Sequence, residues 1–553
     1  MISSAHRFQL RPFLLDLAAL ALIVFAPFVI LLSYHGYPYF TPEVLVILAA
    51  ALVAAALLAL LMSYAGPFVR ILLLAGLIAL FIDMQVGLSP RWSSLAVMLM
   101  FLAAVAVLAA LLWFLREHAA TIVCVIFVTL LTLTLVRGSS RSLQVVTERS
   151  ATAVGNSAEP PLLIHLLLDE HIGVESLPPE IPGTNALRPE LVDFYTSRGF
   201  RLFGGAYSQY AHTYNSIANL LNFSSREVSH PYLSHGTEET EWQLKHAAYF
   251  SMLRGRGYRL HVFQSTYMDL CHAEGAQLQE CTTYPVNGLR MLRGLELQAT
   301  EKMRAFVSAI VTKSSVLRVA NKVYERGIRG TLLRVGWQLP AWEWQGPLLG
   351  PLQVPTMFER LGDDIVRHPR GHAFFAHLIL PHYPYAFDRR CELRPHPADW
   401  GTNRIASTDP LVYNTKESRA QKYELYAEQV RCVLTLLDEM LVDLDRRGLL
   451  NDATIIVHGD HGARIPLHFP SGLTLASGVL VDADFSDTFS TLYAIRAPGV
   501  SPGYDAAPRS VVELLNQHLG GEPSGEAGHC RVFLLDEKGG GSLTGVEPKF
   551  CAP

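Results

Sequence analysis

Charged residues are scarce in the first quarter of this 553-residue chain and ordinary in the remainder. Residues 1–140 contain 6 Lys/Arg and 4 Asp/Glu, whereas the rest contains 39 Lys/Arg and 45 Asp/Glu, the density of a soluble globular protein. A basic surplus is also missing, because the net charge is −4 at pH 7. Binding to nucleic-acid phosphates needs a basic face, so no nucleic-acid partner is expected. With half of its residues hydrophobic, the chain is also not a disordered or collagenous protein.

The charge-poor quarter contains apolar runs of about the length that crosses a hydrocarbon core as a helix. The runs lie near 13–33, 44–64, 68–87, 94–115 and 119–136. The third has the shortest apolar centre, because it contains Arg70 and Asp83. The first run continues almost directly into the second, which favours a retained anchor over a cleaved signal peptide. We therefore predict a transmembrane region of about five helices over residues 1–137.

The orientation follows from the arginines, because Lys and Arg stay on the cytoplasmic side of short loops. If the N-terminus is cytoplasmic, the cytoplasmic side contains Arg7, Arg11, Arg70 and Arg116, whereas Arg91 falls on the opposite side. Five spans then place everything after about residue 140 outside. A multi-pass protein of the plasma (inner) membrane with an extracytoplasmic soluble domain is expected, and one miscounted span would reverse the orientation.

Cysteine is also sparse, with seven residues, of which only Cys124 lies in a predicted span. The other six lie in the soluble part, and an even number suits an oxidising compartment, although six unrelated buried thiols are the alternative. Pairing of sequence neighbours is the working expectation. The pairs are then Cys271–Cys281, Cys391–Cys432 and Cys530–Cys551.

After a polar linker at 138–160, residues 161–525 have the pattern of an α/β domain, followed by a tail at 526–553 that disulfide pairing could hold. Strands are predicted at 162–168, 259–264, 372–380 and 454–458, with helices near 243–255 and 418–447 between them. This alternation predicts a mostly parallel sheet with helices on both faces.

Polar clusters follow three of these strands, where the ligand site of such a sheet lies. They are Asp169-Glu170, His382 and Asp460-His461. Each alone has an ordinary interpretation as a cap or a turn. Together they supply oxygen and nitrogen ligands for a divalent cation such as Zn²⁺, Mn²⁺ or Mg²⁺.

A nucleophile is expected in the polar segment 207–216, which precedes an apolar helical run. A hydroxyl at a helix N-terminus is next to the positive end of the helix dipole, which favours an alkoxide and bound anions. Thr213 and Ser216 are the candidates, and the alternative is that one of them is only the N-cap. Asn215 lies between them and is a candidate substrate contact.

From about residue 160 to 520, the assembled pattern resembles the sulfatase-like branch of the alkaline phosphatase superfamily. It is most similar to membrane-anchored phosphoethanolamine and phosphoglycerol transferases, including lipoteichoic acid synthases. The five spans precede the soluble domain, as in these transferases, and the motifs of the soluble domain occur in the family's order. They are Leu166-Leu167-Leu168-Asp169-Glu170, the segment around Thr213, Leu253-Arg254-Gly255-Arg256-Gly257-Tyr258, Pro381-His382-Tyr383-Pro384-Tyr385, Asn451 to Val457 before Gly459-Asp460-His461-Gly462, and Ala497-Pro498-Gly499.

The resemblance implies metal ligands and roles for individual residues. The ligands would be Asp169, Thr213, Asp460 and His461, with Thr213 also the nucleophile that becomes phosphorylated. His382 would bind the phosphoryl group or assist the leaving group.

The sequence departs from the family pattern at three places. The transferases usually have Glu at the strand end, so either Asp169 or the adjacent Glu170 is the ligand. The Cys/Ser-x-Pro-x-Arg motif of sulfatases is missing around 205–230, which disfavours sulfate-ester hydrolysis. Arg464 stands near a position where many transferases have an acidic residue, and it either contacts substrate phosphate or forms a salt bridge.

Basic residues cluster in one segment outside these motifs, the insertion at 290–345. Residues 290–334 contain ten Lys/Arg and three Glu, and Trp337, Trp342 and Trp344 follow. Basic helices beside Trp suit an anionic membrane surface. The alternative is a solvated helical insertion whose apolar side packs on the core.

These expectations describe a metal-dependent enzyme that takes a phospho-head group from a membrane phospholipid onto Thr213. The group would then pass to an envelope glycan or lipid, a route that replaces one difficult displacement by two easier ones. The alternatives are a sulfatase-like hydrolase or phosphodiesterase of the same fold, and a non-catalytic envelope-binding protein.

Overall fold

The computed structural model describes most of the chain as two compact units. Residues 1–143 with 288–346 form one unit, called here the helical unit, and residues 144–287 with 347–553 form the other, the α/β unit. The described residues are 10–86, 93–138, 146–149, 159–226, 231–236, 240–286, 289–334, 337, 339, 349–401, 411–520, 530–535 and 543–551.

The helical unit contains five long apolar helices, each of sufficient length and hydropathy to cross a membrane, within the described residues. They are α1 (Leu10–Tyr34), α2 (Pro42–Tyr64), α3 (Pro67–Val86), α4 (Ser94–Phe114) and α5 (Ala119–Gly138). Their bounds match the five predicted runs closely. Three further helices of this unit are α9 (Ala299–Lys313), α10 (Ser315–Val323) and α11 (Gly330–Arg334).

Arg70 and Asp83, the two charges that shortened the third apolar run, both have partners. The Arg70 guanidinium lies 2.6 Å from the carboxylate of Asp16 on α1. Asp83 accepts hydrogen bonds from the Ser314 hydroxyl and the Val316 amide. Pairing lowers the cost of these groups in an apolar helix, and α3 continues through both positions.

The α/β unit is built on one sheet that contains nine strands among the described residues. Its strands, in spatial order, are β1 (Val146–Arg149), β9 (Glu280–Tyr284), β7 (Arg259–Ser265), β10 (His372–Leu378), β2 (Leu163–Leu168), β11 (Thr454–Gly459), β12 (Tyr493–Arg496), β3 (Arg201–Phe203) and β13 (Gly503–Asp505). The remaining strands are β4 (Ala206–Tyr207), β5 (Leu233–His235), β6 (Trp242–Leu244), β8 (Met268–Asp269), β14 (Arg509–Ser510), β15 (Val532–Leu535) and β16 (Leu543–Val546). The helices are α6 (Pro182–Ser197), α7 (Thr213–Leu220), α8 (Ala248–Gly255), α12 (Val354–Arg367), α13 (Lys416–Arg446), α14 (Gly472–Ser477), α15 (Asp482–Phe489) and α16 (Val511–Leu519).

The centre of the sheet is parallel and buried. Strands β9, β7, β10, β2 and β11 run in one direction, and every residue of β2 and β10 is buried. Strands with both faces covered are expected to be almost continuously apolar, as these are. Among the described strands of this sheet, antiparallel pairs occur only where β1 joins one edge and where β12 lies between β11 and β3. The predicted fold class, apolar helices followed by an α/β domain with a mostly parallel sheet, is confirmed.

Four segments differ from the simple prediction. The 138–160 linker contains β1, a short strand that extends the sheet edge along β9. The helix predicted near 243–255 begins only at Ala248, because residues 242–244 form β6 beside β5 and β8. The 526–553 tail contains the hairpin of β15 and β16. The basic insertion belongs to the helical unit, and not to the α/β core.

Two of the three predicted disulfides are present. Cys271 bonds to Cys281, and Cys391 bonds to Cys432. Cys530 is also disulfide-bonded, whereas the side chain of its predicted partner, Cys551, lies outside the described residues. Cys124 is free, as predicted.

Candidate metal centre

The predicted site residues follow three neighbouring strands of the sheet. Strand β2 lies between β10 and β11 in parallel register. Asp169 comes directly after β2, Asp460 directly after β11, and His382 four residues after β10. The carboxyl ends of parallel strands meet at one edge, which is where ligands bind in open α/β sheets.

Asp169, Asp460 and His461 form a group whose ligand atoms all lie within 4.8 Å of one another. All three side chains are buried. Asp169 Oδ1 and Asp460 Oδ2 accept no hydrogen bond from the described residues. They lie 3.9 Å and 3.1 Å from His461 Nε2. Buried carboxylate oxygens without donors are costly unless a cation or another charge compensates them, so the donor set fits a divalent metal ion.

His461 is arranged to offer a lone pair to this group. Its Nδ1 lies 3.0 Å from the carbonyl oxygen of Gly462, which assigns the ring hydrogen to Nδ1. Burial, with a contribution from Arg464, lowers the pKa of His461 to about 3. The neutral ring therefore directs the unprotonated Nε2 at the carboxylates, which is the state in which histidine binds metals.

The two carboxylates repel each other in the absence of a cation. Burial raises the pKa of Asp169 well above its ordinary value, and the neighbouring Asp460 raises it further. Asp460 Oδ1 accepts hydrogen bonds from the backbone amides of Glu170 and His461, both at 3.0 Å. These two amides fix the carboxylate so that Oδ2 faces the rest of the group.

The Thr213 hydroxyl lies at the edge of the same group. Thr213 is the first residue of α7, and its Oγ1 lies 3.1 Å from His461 Nε2. The N-cap residue is His212, so Thr213 is not the cap. Ser216, the other candidate nucleophile, donates to the Asp460 carbonyl oxygen at 2.6 Å and contacts the Ser208 hydroxyl. Of the two hydroxyls, that of Thr213 lies beside His461, whereas that of Ser216 is hydrogen-bonded to the loop of Asp460.

Glu170 does not belong to the group of Asp169, Asp460 and His461, called here the metal-ligand group. Its carboxylate accepts a hydrogen bond from the Tyr383 amide at 3.1 Å and lies 3.5 Å from His382 Nε2. Glu170 Oε1 is also 3.8 Å from the Arg464 guanidinium. Of the two adjacent acids that the sequence left open, Asp169 is a member of the group that could hold a metal ion, and Glu170 instead contacts the Tyr383 amide and His382.

Glu170 and Arg464 share an unusual backbone conformation. Both have positive φ, 63° and 53°, in the left-handed region that non-glycine residues seldom adopt. Such conformations concentrate at functional sites, where the surrounding fold holds them in place. Here they bring an acidic and a basic side chain together beside the metal-ligand group.

His382 and Arg464 are the partly exposed members of the site. Their side chains are 16% and 25% exposed, whereas Glu170 is almost fully buried. Burial opposes protonation of His382, but the carboxylates of Glu170 and Asp169 outweigh it and raise its pKa. An imidazole with a raised pKa and a guanidinium thus lie where an anionic substrate can reach them. Asn215, the third predicted substrate contact, is buried in the first turn of α7.

His377 was missed by the sequence reasoning. It lies within β10, is fully buried, and its Nε2 lies 3.1 Å from Asp169 Oδ2. Burial lowers its pKa to about 4, so the neutral ring donates from Nε2 to the carboxylate. A contact of this kind orients a metal ligand. The available signal was a histidine inside an otherwise apolar strand.

A second acid–histidine group lies at the opposite edge of the sheet. His261, Glu280 and Asp364 are close enough to hold a metal ion, but His261 and Glu280 lie near the beginnings of β7 and β9. Here Arg259 contacts His372 at 3.3 Å, His372 contacts His261 at 2.7 Å, and His261 contacts Asp364 at 2.8 Å. Because Arg259 can only donate, His372 accepts at Nε2 and donates from Nδ1 to His261. His261 in turn donates from Nδ1 to the Asp364 carboxylate, where the series of hydrogen bonds ends. These hydrogen bonds leave neither imidazole with a lone pair to spare, so we interpret the group as structural.

No protein-family model and no curated protein matches the chain. Among solved structures, it is similar to the phosphonate monoester hydrolase of Agrobacterium radiobacter, with 13% identity, a TM-score of 0.39, and 69% of this chain and 82% of that chain covered. It is also similar to the C-terminal periplasmic domain of EcEptC from Escherichia coli in complex with Zn, with 12% identity, a TM-score of 0.34, and coverage of 71% and 96%. A third match is a protein in the alkaline phosphatase superfamily from Vibrio parahaemolyticus, with 12% identity, a TM-score of 0.35, and coverage of 72% and 79%.

At this low sequence identity and TM-score, the matches to solved structures say nothing about a substrate. What the chain does must come from the geometry of its own site.

Proposed function

We propose that the chain is a membrane-anchored, metal-dependent phosphotransferase that moves a phospho-head group, of the phosphoethanolamine or phosphoglycerol type, from a lipid to an envelope acceptor. The observation that supports it best is the placement of the Thr213 hydroxyl beside His461 Nε2 and two buried carboxylates. Asp169, Thr213, Asp460 and His461 would hold the cation. Bound there, Zn²⁺, Mn²⁺ or Mg²⁺ would lower the pKa of the hydroxyl and stabilise charge on the phosphoryl group.

In the first half-reaction, Thr213 Oγ1 attacks the phosphorus of the lipid head group as the alkoxide, and it is released as the alkoxide again in the second half-reaction. The bond between phosphorus and the lipid oxygen breaks, and the head group remains on Thr213 as a phosphodiester. His382, whose pKa is raised, supplies a proton to the departing lipid oxygen. Arg464 faces the phosphoryl oxygens with a guanidinium, which binds phosphate well.

In the second half-reaction, a hydroxyl of the acceptor attacks the same phosphorus. His382, now neutral, takes the acceptor's proton, and Thr213 leaves with the head group transferred. The acceptor is an envelope glycan or lipid. If water replaces the acceptor, the same residues give a phosphodiesterase, and the missing sulfatase motif disfavours sulfate esters as substrates.

Localisation belongs to the same proposal. Five apolar helices support a multi-pass anchor in the plasma (inner) membrane. The disulfides Cys271–Cys281 and Cys391–Cys432 support an oxidising, extracytoplasmic compartment for the α/β unit, because the cytosol keeps thiols reduced. The phospholipid donor and the envelope acceptor are both found there.

Mass spectrometry of the intact protein tests the proposal. After exposure of the full chain to membrane phospholipids, the wild type should gain the mass of one head group, and peptide mapping should place it on Thr213. Thr213→Ala should gain no mass and should lose turnover by at least about a thousandfold, whereas Thr213→Ser should retain part of both. Undiminished turnover by Thr213→Ala would exclude this mechanism. Release of free head group without an acceptor would identify the hydrolase.

A further inference from the structure

The basic insertion is packed on the transmembrane helices. Helix α9 contacts α1, α2 and α3, and α10 contacts α3 and α4. The apolar side of α9 is buried, and the Phe306 ring meets the Tyr37 ring edge-on at 4.8 Å.

Polar contacts fix the insertion to one end of the helix bundle. Ser314 is the N-cap of α10, and its hydroxyl donates to Asp83, near the end of α3, at 2.5 Å. The Lys313 ammonium lies 4.7 Å from the ring of Tyr34, the last residue of α1. Because consecutive spans alternate in direction, this is the end where α1 and α3 finish and α2 and α4 begin. Helices α9 and α10 therefore lie at the depth where the spans leave the hydrocarbon core.

The outward side of this segment combines apolar side chains with cations. Val323 and Ile328 are 61% and 51% exposed, and Trp337 is 69% exposed. Arg304, Lys313 and Lys322 are also exposed. Amphipathic helices with this composition lie in the membrane interface, where apolar groups enter the acyl boundary and Lys and Arg contact lipid phosphates.

We propose that residues 299–334, together with Trp337, form an interfacial docking segment for anionic phospholipid. Val323, Ile328 and Trp337 lie at the acyl boundary of the leaflet, and Arg304, Lys313 and Lys322 contact the head-group phosphates. Anionic lipid is the occupant that fits, because the segment's surplus of six positive charges lies at the level of the head groups. This proposal rests on the helical unit alone and does not depend on the proposed catalysis.

Depth measurements test the first part of the proposal. The full chain with Cys124→Ser is reconstituted in nanodiscs of phosphatidylethanolamine and phosphatidylglycerol and spin-labelled at Val323→Cys or Ile328→Cys. Labels at Leu57→Cys, mid-way along α2, and at Phe40→Cys, in the α1–α2 loop, calibrate the depth. The depths of the Val323 and Ile328 labels should lie between those of the two reference labels. Molecular oxygen should relax these spin labels more than a water-soluble nickel complex does. Nickel accessibility equal to that of free label in buffer would overturn the proposal.

Lipid retention tests the second part. Native mass spectrometry of the full chain from mixed micelles counts retained phosphatidylglycerol and phosphatidylethanolamine. The triple variant Arg304→Gln, Lys313→Gln, Lys322→Gln should lose preference for phosphatidylglycerol by about fivefold for each cation removed. The charge-matched control Lys245→Gln, Arg389→Gln, Lys416→Gln, on exposed positions of the α/β unit, should keep it. Equal preference in the two variants would refute the anionic-lipid assignment and leave an acidic protein as the partner.

Discussion

Asp460 uses its two carboxylate oxygens for different purposes. Oδ1 is held by the backbone amides of Glu170 and His461, and Oδ2 faces the imidazole of His461. A change from Asp to Asn keeps the shape but replaces an acceptor with a donor and removes one negative charge. Asp460→Asn should therefore weaken binding of the metal much more than it disturbs the fold.

We expect full-length Asp460→Asn to lose its metal, with affinity reduced about a hundredfold or more. Elemental analysis after dialysis measures this directly. Asp364→Asn is the matched control, because Asp364 belongs to the buried acid–histidine group at the opposite sheet edge. It should keep the metal content of the wild type. Loss of metal from Asp364→Asn alone would show that the two groups have been assigned the wrong way round.

His377 provides a second residue-scale prediction. It donates to Asp169 at 3.1 Å from inside β10, so His377→Ala should reduce metal affinity about 10- to 100-fold. His377→Gln places an amide N–H near the position of Nε2 and should recover part of the loss. Metal titration of the three proteins measures it, and equal affinities of the Ala variant and the wild type would remove His377 from the site.

Helix α13 holds two of the strand-end turns in place. The Tyr426 hydroxyl donates to the Glu170 carbonyl oxygen at 2.8 Å and accepts from the Ile172 amide at 2.9 Å. From the next turn of the helix, the Gln429 amide donates to the carbonyl oxygens of Pro381 and His382. One helix thus fixes Glu170 and His382 relative to each other, although 211 positions separate them in the sequence.

Removing the Tyr426 hydroxyl should be costly, because it leaves a buried amide and a buried carbonyl without their partner. Tyr426→Phe should lower the free energy of unfolding by about 1–3 kcal/mol, as measured by denaturant titration, and should reduce kcat. Tyr195→Phe on α6 is the control, because the buried Tyr195 hydroxyl has no hydrogen-bond partner among the described residues. That variant should be close to neutral. Equal losses of unfolding free energy in the two variants would mean that the hydrogen bonds of Tyr426 do not contribute to stability.

Elements were predictable from sequence where a local pattern encodes them. The apolar runs of β2 and β11 end at Asp169 and Asp460 as expected, and the helix predicted at 418–447 is α13. Tertiary pairing was not encoded locally. The antiparallel placement of β12 between β11 and β3 depends on contacts between distant segments. The link from Asp83 to Ser314 spans 231 positions, so no local pattern could assign the insertion to the helical unit.

Local sequence patterns also predicted only part of the site. Its acids and histidines were recognisable because they interrupt or follow apolar strands, and parallel strand ends converge at one edge. The choice of Asp169 over Glu170 required the directions of their side chains. That information lies in the left-handed backbone at Glu170 and in its contact with the Tyr383 amide.

At the scale of the whole molecule, the direction of the spans decides where the chemistry takes place. Alternation places the N-terminus and the α2–α3 and α4–α5 turns on one side of the membrane. Arg70 and Arg116 lie beside those two turns, and such residues favour the cytoplasm. If all five helices span the membrane, the proposed orientation would place the α1–α2 loop and the chain after α5 outside, and the two disulfides of the α/β unit support that placement.

Cysteine labelling of the full chain tests this orientation. In a Cys124→Ser background, Phe40→Cys lies in the α1–α2 loop and Glu117→Cys in the α4–α5 turn, both at exposed positions. A membrane-impermeant maleimide added to intact spheroplasts should label Phe40→Cys at once and Glu117→Cys only after lysis, because the bilayer separates the two sites. The Cys124→Ser parent should remain unlabelled if its six other cysteines are oxidised. The reverse labelling would place the α/β unit in the cytoplasm, where neither its disulfides nor an envelope acceptor fits, and would therefore refute the extracytoplasmic transferase as well as the orientation.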